Sequence, residues 1–69
     1  MKKLLLIFFL LPAAFASAQT AAAYIQSGNT KAGAKNYQEA IADFTKAIQL
    51  NNTDPEPFFY RANAYSNLQ

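Results

Sequence analysis

Asn36-Tyr37-Gln38-Glu39-Ala40-Ile41-Ala42-Asp43-Phe44-Thr45-Lys46-Ala47-Ile48-Gln49-Leu50 is the stretch whose reading decides the fold. Its apolar residues recur at Ala40, Phe44, Ala47 and Ile48, with Ile41 and Leu50 beside them. That spacing is the period of an amphipathic helix. Size alternates along the same stripe. Small residues at Ala40 and Ala47 let a neighbouring helix come close, and Phe44 then fills the gap between turns. Asn36 is a good N-cap, and Glu39 three residues later suggests a capping box with Asn in the cap place. A helix with such a face is not stable alone in water and needs partners on its apolar side.

Upstream, Ala21 to about Ala34 favours helix through Ala21, Ala22, Ala23, Tyr24, Ile25 and Gln26, then Lys31, Ala32 and Ala34. Gly28 and Gly33 each cost about 1 kcal/mol in a helix interior relative to Ala. At Gly28 the expected offset is close approach of the next helix. Gly33 fits a fraying end. Lys35-Asn36 makes a tight turn into the central helix. Lys35 with Glu39, and Asp43 with Lys46, have spacings that suit solvent-face ion pairs.

Downstream, Asn51-Asn52-Thr53-Asp54 reads as a polar turn. Pro55 suits the first position of a third helix, capped by Asp54 or Thr53, and Pro57 is still tolerated in its first turn. The helix runs to about Leu68, with Phe58, Ala62, Tyr65 and Ser66 along one side. Ordinary packing is the first expectation for Phe58 and Phe59, and contact with a ligand the second.

At the N-terminus, Met1 to Ala18 has the layout of a secretory signal. Lys2 and Lys3 form a positive start, Leu4 to Leu11 an apolar core broken by Pro12, and Ala16-Ser17-Ala18 a small-residue peptidase site. Cleavage is expected after Ala18, leaving Gln19 first. The apolar run is shorter than the roughly 20 residues of a spanning helix, which disfavours the alternative of a retained anchor. The expected location is exported, in a bacterial envelope or secreted, with membrane contact only in transit. A short membrane-anchored or membrane-active peptide is a further alternative.

The chain of 69 residues carries a formal charge of +2. The excess lies in Lys2 and Lys3. Beyond them Lys31, Lys35, Lys46 and Arg61 balance Glu39, Asp43, Asp54 and Glu56, so charge gives no reason to expect nucleic-acid binding. Cysteine and histidine are absent. That inventory excludes disulfides, cysteine nucleophiles, histidine acid/base pairs and cysteine or histidine zinc sites. It also removes the cysteine that a lipid-attached lipoprotein needs. No catalytic carboxylate pair, phosphate loop or nucleophile elbow appears, so no enzyme and no cofactor are expected.

Sliding the chain by thirty-four positions sets Tyr24 against Phe58, Ile25 against Phe59, Gly28 against Ala62, Asn29 against Asn63 and Thr30 against Ala64. The residue sizes agree although identity is slight. Thirty-four is the period of the tetratricopeptide repeat (TPR). Tyr24, Gly28, Tyr37, Ala40, Phe44 and Ala47 sit where that repeat places its aromatic and small signature residues, and the chain resembles the family from Ala21 to Gln69. Ser27 and Lys31 depart from it, standing where large apolar residues are usual. Lys31 is expected to lay its stem on the neighbour and keep its ammonium in water.

The resemblance implies an all-α fold of antiparallel helix hairpins, a TPR-type α-solenoid of about one and a half repeats. The signal-peptide helix, 1–18, would precede it, and the repeat segment would span 19–69 with helices about 21–34, 37–50 and 55–68. Because the second unit has only its first helix, a fragment of a longer protein is expected. The implied function is an exported scaffold that binds a protein or peptide partner on its concave face. The alternative is the N-terminal interaction segment of a longer catalytic or signalling envelope protein.

Concave positions would be Ala22, Ile25, Asn29 and Ala32 in the first unit and Glu56, Phe59, Asn63 and Asn67 in the second. Ile25, Asn29, Phe59 and Asn63 are the candidate partner-binding residues. An amide such as Asn29 or Asn63 can donate to and accept from a ligand backbone at once; two exposed asparagines with no ligand are the alternative. Some members of the family grip a carboxylate with basic residues. Ile25 and Phe59 are apolar where that clamp needs charge, so it is not expected here.

Overall fold

The computed structural model describes residues 20–69, and among these it is all-helical. Helix α1 occupies 20–33, α2 is Tyr37–Leu50 and α3 is Glu56–Leu68. The proposed signal and its cleavage site at Ala16, Ala18 and Gln19 lie outside the described residues. No described helix is long and apolar enough to cross a membrane.

The core is built on α2. Ala40, Phe44 and Ala47 are each fully buried, so the small–large–small stripe is the face that α1 and α3 cover. Gly28 of α1 is buried, and a Cβ placed on it would meet the Phe44 ring at 2.5–2.9 Å. The missing side chain is what lets α1 close on α2, and this closeness offsets the helix-propensity cost. Gly33 has nothing within 4 Å of an added Cβ. It sits exposed in the last turn of α1.

The α1–α2 turn differs from the expected capping box. The amide of Asn36 donates to the Lys31 carbonyl at 2.8 Å, and that of Lys35 donates to Ala32 at 2.9 Å. These two bonds form a Schellman ending, with Lys35 at φ 67° in the left-handed position that glycine usually fills. The N–H of Asn36 is therefore already used, leaving Glu39 no donor to reach back to. The Asn36 side chain makes no capping bond either. Its carbonyl instead accepts the Ala40 amide at 3.0 Å.

The α2–α3 turn is organised by two side chains. Asn51 Oδ1 accepts from the Thr53 amide at 3.2 Å and from the Thr53 hydroxyl at 2.6 Å. Asp54 Oδ1 accepts the Glu56 amide at 3.0 Å. Pro55 already has helical dihedrals, φ −73° and ψ −19°. Its ring pre-sets the entry to α3 while Asp54 satisfies an N–H left over at the helix start.

The packed side of α3 is not the side carrying Phe58, Ala62, Tyr65 and Ser66. Pro57 and Ala64 are buried, with Tyr60 and Arg61 half-buried between them. Steps of three and four from Pro57 reach these residues, so they share one helix face. Phe58 is 42% exposed and Phe59 64%, so the ordinary packing expected of these two is not met, and Tyr65 beside them is 53% exposed. The Arg61 guanidinium bridges both sides. Its Nη1 donates to Thr45 Oγ1 of α2 at 3.2 Å, and its carbon lies 5.7 Å from the Phe58 ring centre.

Ser27 and Lys31 explain their departure from the apolar pattern through Asp43. The Ser27 hydroxyl donates to Asp43 Oδ2 at 2.6 Å, and Lys31 Nζ lies 2.9 Å from the same oxygen. The Asp43 side chain is only 13% exposed. A polar bridge thus replaces an apolar contact between α1 and α2. The ammonium of Lys31 pairs across the helices, which corrects the expectation that it stands in water. Asp43 likewise serves α1 and not Lys46. Lys31–Asp43 is the one ion pair among the described residues, and Lys35 makes none with Glu39.

Candidate functional site

A five-residue connection, 51–55, leads from α2 to α3, and α3 packs on α2 with residues that share a surface with α1. An open groove of about 540 Å³ lies between α1 and α3. Ala22, Ile25, Gln26, Asn29 and Thr30 line one side, and Asp54, Glu56 and Tyr60 the other. Two smaller depressions adjoin it. One is lined by Asn29, Ala32, Tyr60, Asn63 and Asn67 among others. The other is lined by Pro55, Glu56, Phe59 and Tyr60.

The candidate residues fall on this surface as follows. Ile25 and Asn29 line the main groove, one turn apart on α1. Asn63 lies in the second depression, which Asn29 also borders. Phe59 lies in the third, away from both asparagines. Asn29, Phe59 and Asn63 are exposed and Ile25 is half-buried. The amides of Asn29 and Asn63 therefore flank one depression from facing helices, while Phe59 forms a separate apolar shoulder. Asn67 is turned back on its own helix, its Nδ2 donating to the Asn63 carbonyl at 2.9 Å. Thr30 is held similarly, its hydroxyl donating to the Gln26 carbonyl at 3.1 Å.

Tyr60 borders all three depressions, a position that suits either contact the sequence allows it, a neighbour helix or an apolar ligand. Its ring lies 5.7 Å from Phe44 of the neighbouring α2 and 5.9 Å from Phe59 of its own helix. One edge of the residue belongs to the core and the other to the groove. The signal that could have found it is the three-residue step from buried Pro57, which is visible only once Pro57 is known to face inward.

Charge on the surface is uneven. The groove takes Asp54 and Glu56 and none of Lys31, Lys35, Lys46 or Arg61. The titration of Asp43 is displaced. Burial pushes its carboxyl upward, but the hydrogen bonds from Ser27 and Lys31 and the charge of Lys31 outweigh this. The carboxyl is held below its ordinary value of 3.8. Asp43 is on the α1–α2 seam and takes no part in the groove.

Comparison with curated proteins and with solved structures finds no match for the chain. A family model described as a TPR repeat matches residues 21–69. Repeats of this kind generally mediate protein–protein interaction and are typically non-catalytic modules. The match covers both units seen at the thirty-four-residue shift and every described helix. The chain belongs to the tetratricopeptide-repeat family.

Proposed function

We propose that this chain is an exported interaction scaffold that holds an extended segment of a protein partner in the groove between α1 and α3. One observation carries the reading: residues thirty-odd positions apart, Ile25 and Asn29 on α1 with Glu56 and Tyr60 on α3, line a single open groove. The groove sets Ala22, Ile25 and Tyr60 among polar Gln26, Asn29, Thr30, Asp54 and Glu56, so it offers both apolar contact and hydrogen-bonding groups to a peptide. Export is supported by the layout of Met1 to Ala18.

Two measurements test the two halves. A photo-crosslinking residue at Asn29 should capture a polypeptide from an envelope fraction, whereas one at exposed Gln38 on α2 should not. Equal capture at both positions would sink the groove as the binding face. N-terminal sequencing of the mature protein should begin at Gln19. A product that still begins at Met1 would overturn export by a cleaved signal and favour the anchored alternative.

A further inference from the structure

The groove has an acidic end, and an apolar shoulder adjoins it at α3. Phe59, 64% exposed, and Tyr60 share a depression with Glu56. Glu56 and Asp54 also line the main groove. Neither carboxylate has a cationic partner among the described residues, where the one ion pair is Lys31–Asp43. The described segment carries equal numbers of acids and bases, yet two of its four acids border this groove and none of its four bases does. The charge is segregated, not merely present.

A side chain that matches this surface needs a long apolar stem and a positive tip. Arginine and lysine have that form, lying their methylenes on apolar surface while the charged head reaches a polar rim. An aromatic face beside a carboxylate adds cation–π attraction to ion pairing. The chain shows the first of these contacts in itself, where Arg61 lies over Phe58.

We propose that the α1–α3 groove, together with the Phe59 shoulder that adjoins it, selects a peptide segment bearing an arginine or lysine, whose stem lies on Phe59 and Tyr60 and whose cation sits by Asp54 and Glu56. This rests on the groove being the partner-binding face and adds the chemistry of the partner. The sign is opposite to that of a basic clamp for a terminal carboxylate.

Panning a displayed library of random dodecapeptides against the immobilised full chain tests it. Recovered peptides should be enriched in arginine or lysine at one position. Their affinity should fall about tenfold for Glu56→Gln and for Phe59→Ala, both exposed positions, and weaken as salt is raised. The Glu39→Gln variant, which removes an acid outside the groove, should bind them unchanged, and circular dichroism should show all three variants equally helical. Recovered peptides without basic enrichment, or affinities unmoved by Glu56→Gln, would overturn this inference and leave the scaffold reading in place. Recovery of no peptide above background would overturn both.

Discussion

The ring of Tyr60 lies 5.7 Å from that of Phe44, inclined to it by 37°. Phe44 is fully buried and also receives the bare backbone of Gly28. One aromatic side chain therefore closes the α1–α2 hairpin and seats the helix that follows. Replacing Tyr60 with Phe keeps this ring contact and should change stability by less than about 0.5 kcal/mol. Tyr60→Ala should cost about 2 kcal/mol, less than a fully buried aromatic because Tyr60 is half-buried. Hydrogen exchange should show the loss concentrated in α3, and uniform loss across all three helices would contradict the seating role.

Gly28→Ala places a methyl where the Phe44 ring already stands. The ring is enclosed and cannot swing into solvent, so overpacking should cost about 1–3 kcal/mol. Urea denaturation followed by circular dichroism measures it. Phe44→Leu in the same chain should recover part of the loss, because a smaller side chain frees the space. If Gly28→Ala is instead as stable as the parent, α1 does not approach α2 this closely.

The glycine of the first turn stands two residues before the position that needs one. Gly33 is helical and exposed with open space around its α-carbon, while Lys35 takes the left-handed conformation. Lys35→Gly should stabilise by about 1 kcal/mol through relief of the left-handed strain. Gly33→Ala should add about 0.5–1 kcal/mol through helix propensity. The two act through different backbone terms, and thermal melts of the single and double variants should show near-additive gains.

Asp43 links stability to pH. Its carboxyl is held below 3.8 in the folded chain. The group thus stabilises the fold above its unfolded pKa, and this contribution is lost as pH falls through the lowered folded value. Asp43→Asn should cost about 1 kcal/mol near neutral pH, where Lys31 loses its negative partner and keeps at most a neutral acceptor. The variant should also show a flatter fall in stability below about pH 4 than the parent. Parallel acid titrations followed by circular dichroism check both. Identical slopes would show that the bridge does not form.

The stripe of α2 was legible because residue size and helical period agree there. Ala40, Phe44 and Ala47 admit one arrangement, and Gly28 is the natural complement to a buried ring. The face of α3 was not legible, since aromatics occupy Phe58, Phe59, Tyr60 and Tyr65 around most of its circumference and give no clear stripe. Pro57 looked like a tolerated first-turn residue and proved to be an anchor of the packed side. The partner of Asp43 was hidden for a different reason. Asp43 and Lys46 have the spacing of a surface pair, and only tertiary structure brings Lys31 nearer. The capping box failed through competition for a single N–H at Asn36. For the groove, the thirty-four-residue shift matched Asn29 with Asn63 but could not show that Phe59 stands apart from them.

Because Tyr60 touches both interior and groove, occupancy and folding share one thermodynamic cycle. A molecule resting on its outer edge also holds α3 against Phe44. Saturation at 100 times the dissociation constant adds about 2.7 kcal/mol to the unfolding free energy of any single-site binder. A molecule bound in the proposed groove should therefore raise the melting temperature of this small chain, and a thermal-shift screen can find one without a label.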